Sequence, residues 1–171
     1  MQLEHLCDGD FRYSLLDEIE QSARGDGQFF GQGTGLFTGR LAGTAQWANY
    51  PRFSAGYAHP DARGRIELGD GGIVLFELHG LSNLADGSGI HVMTFKTAHV
   101  PFQWLNDVIA LGEGSIDVEQ QALLMRYYEC IVTHRPGVPV APPTGTDLPR
   151  GIGPRQEPRP LQRPARYTQG R

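Results

Sequence analysis

Apolar and polar side chains alternate along much of this sequence, and glycine-containing turns separate the alternating runs. Over residues 37–47 the odd positions hold Phe, Gly, Leu, Gly, Ala and Trp, while the even positions other than Ala42 are polar. Successive side chains of a strand point to opposite faces, so this pattern predicts one half-buried strand over residues 37–47. The alternation of apolar and polar residues therefore favours β-strands over helices for this part of the chain.

A second pair of alternating runs surrounds the turn sequence Gly69-Asp-Gly-Gly72. Residues 62–68 precede it and residues 73–79 follow it, and Gly80 is predicted to end the second strand. An Asp-Gly pair between two such runs favours a tight hairpin. The same criteria predict further strands over residues 3–7 with 11–13, 91–99, 105–111 and 123–132.

The segment after the first strand has two interpretations. Ser14 would cap a helix in which Leu15, Ile19 and Ala23 share one face, and Gly25 would end it. The alternative is that no helix forms there, and the spacing does not decide between them. Short helical turns are further candidates at residues 83–88 and 117–122.

Seven to nine short antiparallel strands are typical of a closed barrel or a sandwich. The sequence shows no internal repeat and no alternation of strands with helices, which argues against a parallel nucleotide-binding sheet. The 23 glycines suit many tight turns, and 39% hydrophobic residues suffice for a core. We therefore predict an all-β fold of antiparallel strands with little helix, and we take a single barrel rather than a sandwich as the working hypothesis.

The composition changes near residue 135. Residues 135–171 hold nine of the twelve prolines and seven arginines against two acidic residues, with few large apolar side chains. Such a segment buries too little surface to offset the entropy of ordering it. We predict a barrel domain over residues 1–134 and a disordered, basic, proline-rich tail over 135–171. The tail is either an inert solvating segment or a proline motif that recruits a partner.

Several function classes are disfavoured by what the sequence lacks. No apolar run of 18 residues exists and the first 20 residues are charged, so we expect neither a membrane span nor a signal peptide, and we predict a cytoplasmic protein. Cys7 and Cys130 are predicted to be reduced, although they could pair if the first and last strands are neighbours. With a formal net charge of −4, nucleic acid is not an expected partner.

A series of short motifs resembles one known family. They are Gly33-Thr-Gly35, Phe37-Thr-Gly39-Arg-Leu41-Ala-Gly43, Trp47-Ala-Asn49, Pro60-Asp61-Ala-Arg-Gly64, Asp70-Gly71, Phe95-Lys-Thr97, Trp104-Leu-Asn106 and Gly112-Glu-Gly114. In order and spacing they resemble the bacterial and fungal family of domain of unknown function 3237, over about residues 3–130. The resemblance implies a small calycin-like barrel that often associates in pairs, hence a homodimer. It implies no activity and no catalytic residue.

A barrel of about eight strands encloses either a solid core or room for one modest ligand. We predict a ligand pocket with walls from Trp47, Asn49, Met93, Phe95 and Trp104. The alternative is that Trp104 and Asn106, on one face of an extended segment, brace a crossing between strands.

Five polar side chains are candidates for general acid–base chemistry: Asp61, Glu77, His79, His99 and Asn106. Glu77 and His79 share a strand face, but the opposite face (Val74, Phe76 and Leu78) is uniformly apolar, so the pair is expected to point outward. Asp61 follows Pro60 at the entry to a strand, where it suits either a binding loop or a turn that satisfies backbone amides.

The sequence predicts no cofactor and no metal. The histidine pairs that could meet, His59 with Asp61 or His91 with His99, lack the spacing of known metal motifs, and no Walker loop or C-x-x-C is present. The leading hypothesis is a small-molecule-binding barrel, with any catalysis of the cofactor-independent isomerase, cyclase or lyase type on a small apolar or aromatic metabolite. The alternative is a non-catalytic dimeric interaction protein.

Overall fold

The structure is a computed structural model that describes residues 1–19, 26–117 and 119–133. Ten strands and one 3₁₀ helix make up these ranges. The strands are β1 (Gln2–Ile19), β2 (Gly27–Gly39), β3 (Gly43–Asn49), β4 (Arg52–Ser54), β5 (Tyr57–His59), β6 (Asp61–Leu68), β7 (Ile73–Asn83), β8 (Ser88–Lys96), β9 (Ile109–Asp117) and β10 (Ala122–Ile131), with the 3₁₀ helix (Val100–Asp107) between β8 and β9.

Eight of the strands close into an antiparallel barrel. Their order is β1, β10, β9, β8, β7, β6, β3 and β2, and β2 pairs with β1 again to complete the circle. The small strands β4 and β5 form an extra hairpin between β2 and β7 at one end. The predicted antiparallel barrel with little helix is confirmed.

The two ends of the barrel differ. At one end, called the closed end, the inward side chains pack into a continuous core that includes Phe37, Ile66, Phe76 and Phe95. The 3₁₀ helix covers this end and inserts Leu105, which is fully buried. The opposite end, called the open end, is where the barrel meets the β4–β5 hairpin. The core therefore fills only part of the tube.

Inward glycines make room for aromatic rings on neighbouring strands. A Cβ on Gly64 would lie 2.6 Å from a ring carbon of Phe76, and one on Gly112 would overlap Cε1 of Tyr127. Both glycines lie directly beside the aromatic residue in the sheet register. A narrow barrel cannot hold a large side chain at every inward position, so the rings lie over glycines.

The single strand predicted over residues 37–47 is wrong. Gly39 ends β2 with a φ of 126°, and a turn leads to β3 at Gly43, so that Phe37 and Gly43 are cross-strand partners. The alternation survives the turn because Leu41 also points into the core, where it is fully buried. The alternation of apolar and polar residues therefore continues from β2 through the turn into β3, and for this reason the sequence pattern does not reveal the turn.

Three other boundaries need correction. The first three residues of the strand predicted over 105–111 belong instead to the 3₁₀ helix, and β9 begins only at Ile109. Strand β8 ends at Lys96 rather than at His99, and β7 runs past Gly80 to Asn83. The helical interpretation is wrong for residues 14–19, which extend β1 and pair with β2. Residues 20–25 lie outside the described ranges.

The hairpin at Asp70-Gly71 and the strand predicted over residues 123–132 are confirmed, the latter as β10. Strands β1 and β10 are neighbours, yet Cys7 and Cys130 are both free thiols, because Cys130 is opposite Leu3 instead. Among the described residues, no helix has the length and apolar content needed to cross a bilayer. The predicted tail over 135–171 lies outside the described residues.

Candidate functional site

A cavity of about 150 Å³ occupies the open end of the barrel. Its walls come from strands β1 to β5, β7 to β10 and the loops beside them, and they are mainly apolar. The apolar lining residues are Leu16, Phe29, Pro51, Phe53, Ala58, Pro60, Leu84, Ile116, Ala122 and Leu123. Two acidic side chains, Glu18 and Asp117, lie at the cavity as well, and both are exposed to solvent.

His91 and Ser82 form a buried polar pair against this cavity. They project inward from β8 and β7, and both are almost completely buried. The Ser82 hydroxyl and His91 Nε2 are 3.1 Å apart and hydrogen-bonded. Burial lowers the pKa of His91 to about 4, because the imidazolium would lose its hydration without gaining a counter-charge. At neutral pH the imidazole is uncharged.

Tyr13 and Asn49 form a second polar pair on the opposite wall. The ring of Tyr13 lies over Gly31, and its hydroxyl accepts a 2.9 Å hydrogen bond from Asn49 Nδ2. Asn49 Oδ1 in turn accepts a 3.0 Å bond from the backbone N–H of Asp61. Burial raises the pKa of the Tyr13 phenol. This pair therefore offers the cavity neutral polar groups and no charge.

Three buried polar atoms have no hydrogen-bond partner among the described residues: Trp47 Nε1, His91 Nδ1 and the Tyr127 hydroxyl. Burial holds the pKa of Tyr127 well above its usual value, so the phenol stays protonated. Buried polar groups without a partner are rare in folded proteins, and each costs about 1–3 kcal/mol. Such atoms commonly mark a bound water or a ligand.

Three of the predicted catalytic residues lie on the outer surface of the barrel. Glu77 and His79 point outward as the parity of β7 indicates, and Asp61 faces His79 across the β6–β7 register. Asp61 Oδ1 is 3.6 Å from His79 Nδ1, and Glu77 Oε1 is 3.3 Å from Nε of Arg63. None of these side chains lines the cavity.

The other two predicted catalytic residues lie at the closed end. His99 precedes the 3₁₀ helix, stacks on Phe102 and is hydrogen-bonded to Asp70 at 2.8 Å. Asn106 binds the backbone of Thr97 on both its N–H and its C=O. The structure thus does not bring the five predicted residues together.

The residues predicted to form the pocket walls are also not all found at the cavity. Asn49 lines the cavity, while Trp47, Met93 and Phe95 are buried in the core. Trp104 packs against the core from the 3₁₀ helix, with the Arg40 guanidinium 4.8 Å from the centre of its ring. Within the described ranges, no three His, Cys, Asp or Glu side chains are grouped to hold a metal ion.

Sequence reasoning missed Tyr13, Ser82 and Tyr127, and it considered His91 as a metal partner of His99 rather than as part of a polar pair. The signal was present in the parity of their strands. His91 alternates in phase with Met93 and Phe95, and Ser82 is in phase with Phe76 and Leu78, all of which point inward. A histidine or serine on the inner face of a narrow barrel must find a partner there, and this requirement could have identified the pair.

Comparison with known proteins supports the fold. No protein-family model matches the sequence, and no curated protein is similar to it. A protein of unknown function from Clostridium acetobutylicum has a TM-score of 0.68 and 17% identity, covering 77% of this chain and 100% of that one. A β-barrel-like protein from Acinetobacter baumannii has a TM-score of 0.65 and 20% identity, with coverages of 75% and 94%.

A structure described as an enzyme from Penicillium herquei has a TM-score of 0.59 and 20% identity, covering 75% of this chain and 92% of that one. At such low identity the likeness establishes a shared barrel fold and nothing about chemistry.

Proposed function

We propose that this protein binds a small, neutral, largely apolar molecule in the cavity at the open end of its barrel. One observation carries the proposal: an apolar cavity of about 150 Å³ borders the buried, uncharged His91–Ser82 pair. Binding sites for small molecules typically combine apolar walls with a few polar groups that fix orientation. At the closed end, the described side chains pack into a continuous core instead.

The size of the cavity limits the ligand. An apolar cavity of roughly 150 Å³ accommodates a single benzene-sized ring. The exposed acids Glu18 and Asp117 disfavour an anionic ligand, since no cationic side chain lines the described part of the cavity. A neutral ring compound with about six to ten non-hydrogen atoms fits both restrictions.

We further infer that any reaction of the bound molecule is a proton transfer without a cofactor, of the isomerase, cyclase or lyase type. His91 and Tyr13 are titratable side chains that line the cavity from inside the barrel, and burial raises the pKa of the Tyr13 phenol, which leaves His91 as the candidate base. In the tautomer whose Nε2–H donates to the Ser82 hydroxyl, the uncharged imidazole can accept a proton at Nδ1. We therefore assign the proposed acid–base role to His91 on β8 rather than to Asp61 or His99.

A thermal-shift series tests the binding proposal. At about 3 mM, which toluene still reaches in water, phenol, toluene and cyclohexenone should each raise the melting temperature by a few degrees if they bind with millimolar affinity. Benzoate, which is anionic, should leave the melting temperature unchanged. Leu84→Trp, at the cavity wall, should abolish the shifts, whereas Leu36→Trp on the outside of β2 should retain them. Equal shifts in both variants would contradict the proposal.

We also propose membership of the family of domain of unknown function 3237. The closed antiparallel barrel is the fold that the motif resemblance implies. Homologues of this chain should then keep Gly33-Thr-Gly35, Asp70-Gly71 and Trp104-Leu-Asn106 in the same order. An alignment in which these motifs vary freely while the strands persist would contradict the assignment.

The outer face of β7, β8 and β9 favours a second candidate function, self-association with a second copy of this chain. This face exposes Leu75, Leu81, Ile90, Val92 and Ile109. The charges beside it on β6 and β7 include the opposite pairs Arg63–Glu77 and Arg65–Glu67, so an identical copy would meet little net repulsion there. Light scattering should give a dimer that Ile90→Glu converts to a monomer; a wild-type monomer at high concentration would contradict it.

A further inference from the structure

Tyr127 and His91 occupy the same row of the barrel on either side of Gly112. In the register of β10, β9 and β8, Tyr127 is opposite Gly112, and Gly112 is opposite His91. All three positions are buried and point inward. Neighbouring strands lie about 4.8 Å apart, so the two side chains start roughly 10 Å from each other with no side chain between them.

The ring of Tyr127 leans across this gap. A Cβ on Gly112 would overlap Cε1 of Tyr127 and would lie 3.2 Å from Cζ, the carbon that carries the hydroxyl. The Cδ1–Cε1 edge of the ring therefore covers Gly112, on the side of Tyr127 that leads to β8. On that strand, the Cδ2 edge of His91 lies against Gly80 and its Nε2 binds Ser82. The Nδ1 edge of the imidazole faces away from Gly80, which is the side of Gly112.

The opposite wall of the barrel has a similar arrangement in which the tyrosine hydroxyl does have a hydrogen-bond partner. There Tyr13 leans over Gly31 and its hydroxyl meets the side chain of Asn49, which is the cross-strand partner of Gly31. Both patterns place a tyrosine, a glycine and a polar side chain on three successive strands. The Tyr13 pattern is closed by a hydrogen bond, whereas in the Tyr127 pattern both the hydroxyl and Nδ1 lack a partner among the described residues.

We propose that the two unpartnered atoms, the Tyr127 hydroxyl and His91 Nδ1, form an oxygen-binding subsite, in which the hydroxyl or carbonyl oxygen of the bound ring compound lies between them. This assignment rests on the proposed binding function and specifies the ligand class. Both groups are uncharged and desolvated, so the subsite suits a neutral oxygen and not a carboxylate or an ammonium group. A hydroxyl group satisfies either tautomer of His91, because it donates and accepts.

Phenol and toluene are suitable probes, since they have the same size and differ in the oxygen. Toluene is the more apolar molecule, so the informative quantity is the ratio of their dissociation constants in wild type and in variants. Tyr127→Phe removes a hydroxyl that has no partner within the described chain and should leave the fold intact. Tyr128→Phe is the matched control, because its hydroxyl binds Glu113 on the outside.

The proposal predicts that Tyr127→Phe weakens phenol binding about fivefold to tenfold and leaves toluene binding unchanged, the size expected for one hydrogen bond. Tyr128→Phe should change neither. Unchanged phenol affinity in Tyr127→Phe would overturn the subsite and leave the gap to an internal water only. Failure of both probes to bind wild type would instead overturn the binding function itself, and the two failures are therefore distinct.

Discussion

The side-chain amide of Asn106 is hydrogen-bonded to both backbone polar groups of Thr97. Asn106 Oδ1 accepts from the Thr97 N–H at 2.8 Å, and Nδ2 donates to the Thr97 carbonyl at 3.0 Å. The amide thereby takes the place of a neighbouring strand where β8 has already ended. These two hydrogen bonds attach the 3₁₀ helix to the barrel and keep Leu105 in the closed end.

We predict that Asn106→Ala lowers the free energy of unfolding by about 2 kcal/mol, since two hydrogen bonds are lost. Asn106→Asp keeps the acceptor and loses the donor, so its effect should be smaller than that of alanine at the same position. Urea denaturation measures both, with Asp107→Ala as an exposed control on the same helix. Lost ligand binding at unchanged stability would instead place Asn106 in a binding site.

Asn49→Ala should destabilise the open end. Asn49 is buried, and its loss leaves the Tyr13 hydroxyl and the Asp61 N–H without their partners. We expect a decrease of about 2–3 kcal/mol in the free energy of unfolding. Gln46→Ala, at an exposed position of the same strand, should change stability by less than about 0.5 kcal/mol. Equal stability of the two variants would contradict the Tyr13–Asn49 pair.

Gly112→Ala tests the position of the Tyr127 ring. The added methyl group would overlap Cε1 of that ring, and displacing it within a packed core costs about 1–3 kcal/mol. Gly69→Ala is the matched control, because a Cβ there meets no atom within 4 Å. A Gly112→Ala variant as stable as Gly69→Ala would show that the ring does not lie over Gly112.

The buried His91 makes stability depend on pH. Its pKa is about 4 in the folded protein and 6.5 in the unfolded chain, so below pH 6.5 the unfolded chain binds a proton that the folded protein refuses. The free energy of unfolding should therefore fall by about 3 kcal/mol between pH 6.5 and 4. The carboxylates of Asp8, Asp70 and Asp86, with pKa values lowered from 3.8, lose their contributions only below this window.

His91→Gln should flatten the stability profile between pH 6.5 and 4, as measured by urea midpoints at each pH. His79→Gln, which replaces an exposed histidine of the neighbouring strand, should retain the wild-type slope. A slope that persists in His91→Gln would mean that His91 is not the buried neutral group described above.

Strand periodicity was sufficient to predict antiparallel β structure with one apolar face, because a one-residue shift would turn every apolar side chain of a strand outward. It left a barrel and a sandwich open, and the motif resemblance favoured the barrel. Strand periodicity also placed Glu77 and His79 outside correctly. It could not find the turn after Gly39, since Leu41 keeps the inward phase through that turn. The 3₁₀ helix was not predicted either, because it is held by hydrogen bonds between Asn106 and Thr97, which lies nine residues earlier in the chain.

The cavity could not be predicted from local patterns. Its walls come from most of the strands. Tyr13 reaches Asn49 across the intervening strand because Gly31, which lies between them, has no side chain. Ser14–Ile19 resembled a helix because the spacing of Leu15 and Ile19 fits one. Pairing with β2 overrode that local preference, as tertiary context commonly does.

A crystal structure of the protein soaked with phenol tests most directly whether the open end holds a ligand. We predict one ring inside the open end, in contact with Ala58, Pro51 and Ile116, with its oxygen within 3.5 Å of His91 Nδ1. A cavity closed by side chains, or a ring bound only on the outer surface, would contradict it.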